Sequence, residues 1–296
     1  LLLKEIGDEL FSGPKNRRNL FVWFMFIKSG YDAKIGYSQD ELYLLLPSKH
    51  TIYRTPYFSM GEKTYYVVNF ENHLDNLNAV NSYNGSYQNA DNSIALNIIS
   101  SPVINQVFES KKLKFYYNDL EYTVNVDVKR DVIKFYDQYP QTDYEIYFDA
   151  SLSSETKYSL LAGLRPIVEN KTETEAVNML LRFVQTAFEY KLDQDQFGRE
   201  KPLFAEETLF YPYSDCEDRS VLFAYLVRNL TELKVIGLDY PGHIATAVKL
   251  STEIKGDSVL YNGQKYLICD PTCINANVGQ SMPQFKKIKP KIILIE

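Results

Sequence analysis

Two strand-forming runs flank an Asn-Gly pair at residues 262 and 263. Residues 257–261 and 264–269 are rich in aromatic and aliphatic side chains. Asn-Gly suits a two-residue hairpin turn, because both positions take positive φ angles that few other residues tolerate. The pattern predicts a β-hairpin with Asp270 at the end of its second strand.

A third strand is predicted just before this hairpin. Residues 244–250 (Ile-Ala-Thr-Ala-Val-Lys-Leu) are strand formers, and His243 stands at their entrance after a Pro-Gly turn. If this strand lies beside the hairpin, the imidazole of His243 and the carboxylate of Asp270 meet at one sheet edge.

Upstream, residues 214–220 (Ser-Asp-Cys-Glu-Asp-Arg-Ser) predict the start of a helix. Ser214 and Glu217 have the spacing of a capping box. An apolar stripe follows at Val221, Leu222, Tyr225 and Leu226. Cys216 then falls in the first turn, where unpaired N–H groups and the helix dipole favour thiolate over thiol.

Cys216, His243 and Asp270 together form the set that activates a cysteine nucleophile for acyl transfer. In this arrangement His243 first accepts and then donates a proton, and Asp270 fixes the ring tautomer. The backbone N–H of Cys216 is the expected first donor to an oxyanion.

These motifs resemble the transglutaminase-like superfamily, in particular its bacterial cysteine-peptidase members. The similarity rests on Asp-Cys-Glu-Asp opening a helix, Gly-His before a strand and Asp-Pro-Thr after one, and it covers roughly residues 150–280. Residues 172–190 resemble the family's preceding helix, which ends in a Phe-x-Tyr element. The resemblance implies a papain-like core and makes Tyr190 the candidate for the second oxyanion donor. The chain departs from the family pattern at Ala245, where an aromatic residue often follows the histidine.

The fold class expected from these patterns is α+β, in three modules. Residues 1–75 are an N-terminal α+β segment, residues 76–150 a β-rich sandwich-like module, and residues 151–296 the catalytic domain. The sandwich or small barrel is predicted from five short runs, at 92–99, 112–117, 121–126, 132–136 and 144–148. Protein or glycan contact is assigned to this module. Two helices are predicted after it, at 154–168 and 173–190.

Residues 12–70 echo the catalytic segment at an offset of about 202. The coinciding residues are Ser12, Arg17, Leu20 and Phe21 with Ser214, Arg219, Leu222 and Phe223. In this register Pro14, Glu41 and Asn69 replace the nucleophile, the base and the acid. One interpretation is a degenerate copy of the core without its chemistry. The alternative is that any helix followed by a strand and a hairpin aligns this well.

Composition excludes several classes of function. A net charge of −6 offers no electrostatic case for nucleic acid. No run of 18 apolar residues exists to span a membrane, and the densest apolar stretch, 20–27, predicts a buried helix. Residues 74–91 are an Asn-rich stretch typical of a linker.

The cysteines and the termini leave more open. Cys269 and Cys273 are interpreted either as a bridge across the Pro-Thr turn or as reduced thiols. The chain starts with Leu-Leu-Leu-Lys rather than Met, which suggests a piece of a longer protein. Its location stays unassigned, with the cell envelope or periplasm favoured.

The function expected from the sequence is hydrolysis of an amide bond in a peptide or peptide-like substrate. No cofactor and no metal is expected. Two alternatives stay open: a non-catalytic binding or scaffold protein on a transglutaminase-like fold, and a true protein transglutaminase that transfers the acyl group to an amine.

Overall fold

The computed structural model describes residues 2–11, 15–38, 40–68, 70, 80–83, 85–100, 102 and 108–295. The described chain is of the α+β class, with helices and antiparallel sheets, as expected. It forms two compact units. The first reaches to Leu96 and includes Pro140–Asp143, and the second comprises Asn97–Tyr139 and the chain from Tyr144 onward.

The first unit combines helices with a five-stranded antiparallel sheet. Its elements are α1 (Leu2–Leu10), α2 (Lys15–Lys28), β1 (Lys34–Ser38), β2 (Glu41–Pro47), β3 (Tyr57–Met60), β4 (Lys63–Val68) and β5 (Asn81–Ser82). The strands lie in the order β3-β4-β2-β1-β5. Helix α2 packs on β2 and buries Val22 against Leu44 and Leu46. Its other face leaves Leu20 and Phe24 exposed, so the predicted helix is confirmed and its complete burial is not.

The second unit begins with a two-stranded ribbon and a set of helices. These are β6 (Phe108–Tyr117), β7 (Leu120–Lys129), α3 (Arg130–Asp137), α4 (Tyr144–Asp149), α5 (Ser154–Val168), α6 (Glu173–Thr186), β8 (Glu189–Tyr190), α7 (Asp193–Phe197), α8 (Ala205–Phe210) and β9 (Tyr213–Ser214). Strands β8 and β9 form a short parallel pair in which Tyr190 lies opposite Ser214.

A buried helix and a five-stranded sheet complete the second unit. They are α9 (Cys216–Thr231), β10 (Lys234–Tyr240), β11 (His243–Lys249), β12 (Ser258–Tyr261), β13 (Gln264–Cys269) and β14 (Lys291–Ile293). The strand order is β12-β13-β11-β10-β14. Helix α9 packs on β10 and β11 and against α6 and α8. The hairpin predicted around Asn-Gly is confirmed as β12–β13, and both turn residues have positive φ angles.

The two sheets share one topology. Each follows a helix, each has the same strand order, and every neighbouring pair of strands is antiparallel. The pairing registers also correspond. Matching pairs are Ser38–Glu41 with Tyr240–His243, and Leu44–Val68 with Thr246–Cys269.

The predicted β-sandwich needs correction. Strands β6 and β7 confirm two of its five runs, but they form a two-stranded ribbon. Residues 132–136 and 144–148 lie in helices α3 and α4. The buried side chains of α3, Val132, Ile133 and Tyr136, follow helical spacing, which the β-branched and aromatic composition obscured. Of residues 92–99, Asn92 and Ile94 make single bridges.

Two further expectations can be placed on the structure. No helix in the described part of the chain is long and apolar enough to cross a bilayer. Within the stretch predicted as a linker, residues 74–79 and 84 lie outside the described residues, whereas residues 81–82 form strand β5 beside β1.

Candidate functional site

His243 and Asp270 meet as the sequence predicts. Strand β11 lies between β10 and β13, so the first residue of β11 stands beside the residue that follows β13. Nε2 of His243 is 3.0 Å from Oδ2 of Asp270. Both side chains are buried, with exposed fractions of 7% and 2%. The carboxylate therefore holds one ring nitrogen in a dry environment.

The carboxylate of Asp270 is itself fixed by its surroundings. Its Oδ1 accepts hydrogen bonds from the backbone N–H groups of Thr272 and Cys273, at 3.0 and 3.2 Å. Gln185, buried at the end of α6, donates from Nε2 to the carbonyl oxygens of Asp270 and Cys273. These bonds leave Oδ2 directed at the imidazole.

Cys216 is the first residue of α9, so the nucleophile candidate does stand at a helix start. The cap, however, lies one residue later than predicted. Asp215 is the N-cap, and Oδ2 of Asp218 accepts a hydrogen bond from its backbone N–H. Ser214 instead lies in strand β9 opposite Tyr190, and its hydroxyl accepts a hydrogen bond from Nε of Arg219.

The thiol of Cys216 is bound to a carboxylate rather than to an imidazole. Its Sγ lies 3.0 Å from Oε2 of Glu217, and among the described residues no hydrogen bond joins the sulfur to His243. Burial, followed by the charge and hydrogen bond of Glu217, raises the pKa of the thiol. A hydrogen bond from Ile244 N–H opposes this rise. The expectation of a thiolate from the helix dipole is therefore wrong for this conformation.

A cluster of carboxyl groups lies close to the thiol of Cys216. One oxygen each of Asp193, Asp215 and Asp218 lie within 4.8 Å of one another, and Glu217 joins Asp193 and the exposed Glu200 in a second such set. Burial raises the pKa of Asp193 to about 7. Burial and the neighbouring carboxyl groups also raise the pKa values of Asp215 and Asp218. Among the residues that the structure describes, none forms a hydrogen bond with Oδ1 of Asp215. Protons or a cation can neutralise such a cluster. Without a cation, the raised pKa values mean that these carboxyl groups keep their protons to a higher pH than exposed carboxyl groups do.

The cluster predicts that the folded state weakens as the pH rises. Because the folded pKa of Asp193 lies above its unfolded value, its stabilisation is complete below about pH 4 and is lost toward about pH 7. Asp193→Asn is expected to remove this loss and to stabilise the protein by up to about 4 kcal/mol at pH 8. Urea unfolding at pH 5 and pH 8 measures the difference.

Asp195→Asn is the matched control, since Asp195 lies on the same short helix and is exposed. It is expected to leave the pH dependence of unfolding as it is in the parent chain. If Asp193→Asn keeps that same dependence, the buried carboxyl group is not its source.

Arg219 makes buried contacts on helix α9, three residues after Cys216. Its guanidinium is buried and donates to the carbonyl oxygens of Gln185 and Phe188, at 3.3 and 2.8 Å, as well as to Ser214. It also lies 5.4 Å from the ring centre of Tyr190. One side chain thus connects helix α9 with the end of α6 and with strand β8.

Tyr190, the candidate oxyanion donor, is half exposed at this site. Burial and the nearby Cys216 raise the pKa of its phenol to about 12, so it is a proton donor at neutral pH. A second tyrosine, Tyr144 on α4, was not singled out in the sequence. Burial and the charges of Glu217 and Cys216 raise the pKa of its phenol. Tyr144 is therefore close enough to these two residues for an electrostatic interaction.

The first unit lacks these groups at the corresponding positions. Pro14 and Asn69, which align with Cys216 and Asp270, lie outside the described residues. Glu41 aligns with the histidine and accepts a hydrogen bond from the hydroxyl of Tyr43. The N–H of Leu42, which aligns with Ile244, donates to Oδ1 of Asn16. In the first unit, the side-chain amide of Asn16 thus accepts from the N–H of Leu42. The corresponding N–H in the second unit, that of Ile244, faces the sulfur of Cys216.

The remaining thiols are free. Cys269 is buried, Cys273 is half-buried, and neither is in a disulfide, so of the two interpretations the structure has the reduced one. Sequence reasoning gave no role at this site to Tyr144, Gln185, Asp193, Arg219 or Phe285, whose ring stacks on the imidazole of His243. Their signal was weak: each is a single residue whose neighbours come from distant parts of the chain.

Comparison of the chain with protein-family models, curated proteins and solved structures finds no match. The function is therefore inferred from the geometry of the site and from the motifs that carry the resemblance.

Proposed function

We propose that the protein is a cysteine-nucleophile acyl-transfer enzyme that hydrolyses an amide bond in a peptide or peptide-like substrate. The observation that supports this best is the buried bond between His243 and Asp270, at the ends of two neighbouring strands and beside the Ile244 N–H that faces Cys216. A histidine oriented by a carboxylate and a cysteine at a helix start are groups that nucleophilic catalysis uses, and Ile244, which follows His243 in the chain, has its N–H directed at the sulfur.

The proposed reaction passes through a thioester. His243 takes the proton from the thiol, and the sulfur of Cys216 attacks the amide carbon. The imidazolium then gives its proton to the departing amine as the C–N bond breaks. Water next attacks the thioester carbon while the imidazole takes its proton. The C–S bond then breaks to release the acid, and the imidazolium returns that proton to the sulfur of Cys216. Because Nε2 is bound to Asp270, the other ring nitrogen carries these protons.

The oxyanion formed at each attack needs donors. The backbone N–H of Cys216, at the first position of α9, and the phenol of Tyr190 are the groups assigned to it. Water as acceptor requires no second binding site, which favours hydrolysis over transfer to an amine. No cofactor enters the reaction.

The proposal also includes a specific fold for each of the two units. We place residues 151–296 in a papain-like, transglutaminase-like core, and residues 12–70 as a degenerate copy of its helix and sheet. The shared strand order and the corresponding registers of the two sheets support the copy. In the first unit, Asn16 accepts the hydrogen bond from Leu42, whose N–H corresponds to the one that faces the Cys216 sulfur. This contact supports a copy without catalytic chemistry.

One observation favours a second function. The Cys216 thiol donates to Glu217, and its pKa is raised, so the resting conformation holds a weak nucleophile. A protein that retains this architecture for binding rather than catalysis fits that state. The two functions differ in whether the imidazole governs the reactivity of the thiol.

Alkylation of Cys216 by iodoacetamide distinguishes them. The rate is followed from pH 5 to pH 9 by peptide mass spectrometry, with Cys269 and Cys273 as references in the same chain. An enzyme is expected to lose on the order of tenfold or more in rate on His243→Ala, because a positioned base supplies at least that much. Glu41→Gln, at the corresponding position of the first unit, is the control and is expected to change nothing.

The opposite result is equally clear. If Cys216 reacts no faster than an ordinary thiol, and His243→Ala leaves its rate unchanged at every pH, the enzyme proposal fails. The binding function is then the better account of the fold.

A further inference from the structure

Phe285 lies directly on the imidazole of His243. The ring centres are 4.7 Å apart and the planes differ by 8°, a parallel stack. Tyr240 packs on the same phenyl ring at 5.0 Å, so Phe285 bridges the two ends of the β10–β11 turn. Together with Asp270, which binds the ring edge, Phe285 limits both the tilt and the rotation of the imidazole.

The segment that carries Phe285 is fastened on both sides by one residue. Asp257, just before β12, accepts hydrogen bonds from the N–H and hydroxyl of Ser281, at 3.1 and 2.7 Å. It also pairs with the ammonium group of Lys286 at 3.1 Å. The hydroxyl of Ser281 is the main cause of the lowered pKa of Asp257, so this anchor is ionised at neutral pH. The contacts of Asp257 with Ser281 and Lys286 thus restrain the chain on both sides of Phe285.

The stack also covers a bond that water would weaken. His243 is 7% exposed and Asp270 2%, although both stand at the end of a sheet, where side chains are usually wet. A hydrogen bond between such groups is stronger in a dry environment than in water. The phenyl ring is one of the groups that keep water away from this bond.

We propose that Phe285 is a positioning residue for His243: it sets the plane of the imidazole and shields its bond to Asp270, while Asp257 holds Phe285 in place. The proposal rests on the function proposed above, because it assigns Phe285 to the geometry of the base. The phenyl ring takes no part in proton transfer.

NMR of the histidine rings tests the stack without any substrate. The chain has three histidines, so comparison with His243→Ala assigns the His243 signals. The phenyl ring current is expected to shift the His243 ring protons upfield in the parent chain. Phe285→Ala is expected to move them downfield, Phe285→Trp to restore the upfield position, and Asp257→Ala to move them part of the way. Ile288→Ala, in the same segment and exposed, is expected to leave them unchanged.

Alkylation of Cys216 tests the consequence. Phe285→Ala is expected to slow it by about three- to tenfold at pH 7 and to change its pH profile, the range that one aromatic pair accounts for. Phe285→Trp restores the rate if the stack is what matters. Phe285→Leu serves in place of the alanine variant if that variant does not fold.

The outcomes separate the two proposals. If His243→Ala does not slow alkylation, the proposed function fails, and the NMR shifts still decide whether the stack exists. If His243→Ala slows alkylation but Phe285→Ala and Phe285→Leu do not, the positioning role of Phe285 is overturned while the enzyme proposal stands. Unchanged His243 signals in those variants overturn the stack itself.

Discussion

Replacing Glu217 by glutamine is expected to accelerate the alkylation of Cys216 at pH 7 by roughly ten- to a thousandfold. The carboxylate lies 3.0 Å from the sulfur and, after burial, is the main reason why the thiol keeps its proton. A like charge at this distance shifts a pKa by about one to three units, and each unit changes the thiolate fraction tenfold. Glutamine keeps the shape and removes the charge. Site-resolved mass spectrometry measures the rate.

Glu200→Gln is the control for this effect. Glu200 belongs to the same carboxyl cluster, but it is exposed and is not bonded to the sulfur, so only a small acceleration is expected. Unchanged or slower alkylation of the Glu217→Gln variant would show that burial alone holds the thiol protonated. Addition of His243→Ala then shows whether the imidazole becomes the partner of the freed sulfur.

Arg219→Met is expected to lower the free energy of unfolding by about 3–5 kcal/mol. Arg219 is almost completely buried, and its three polar contacts, to Ser214, Gln185 and Phe188, lose their donor in the variant. Methionine fills much of the volume, so the loss comes mainly from acceptors left unpaired in a dry environment. Chemical unfolding followed by far-UV circular dichroism measures the change.

Arg199→Met controls for loss of an arginine. Arg199 is 49% exposed and stands 3.9 Å from Asp137, a surface pair of little energetic weight. Its substitution is expected to change the free energy of unfolding by about 0.5 kcal/mol or less. The single tryptophan, Trp23, lies in the first unit, so its fluorescence reports that unit separately. Equal stability of the Arg219→Met and parent chains would contradict the role given to the guanidinium.

Local elements of the second unit were predictable because short-range rules decide them. The Asn-Gly pair selects its turn regardless of context, and the strand that starts at His243 pairs beside the resulting hairpin. This brings His243 to Asp270 as expected. Helix α9 follows from its apolar stripe.

The errors have physical causes in tertiary contacts. Ser214 has the chemistry of an N-cap, but it lies in strand β9 opposite Tyr190, and Asp215 takes that position. Residues 132–136 have β-forming composition, yet their apolar side chains face the core of the second unit as one side of a helix. Composition reports propensity, whereas burial decides the outcome.

The sequence by itself determined which groups stand near one another along β11, β12 and β13, because turns and alternation act over a few residues. Only the tertiary structure decided the protonation and the solvent exposure of these groups. The pKa of Cys216 depends on burial and on a carboxylate that turns toward the sulfur, and the dryness of the His243–Asp270 bond depends on Phe285 folding back from later in the chain. Charge and solvent exposure are sums over all neighbours, and those neighbours come together only when the chain folds.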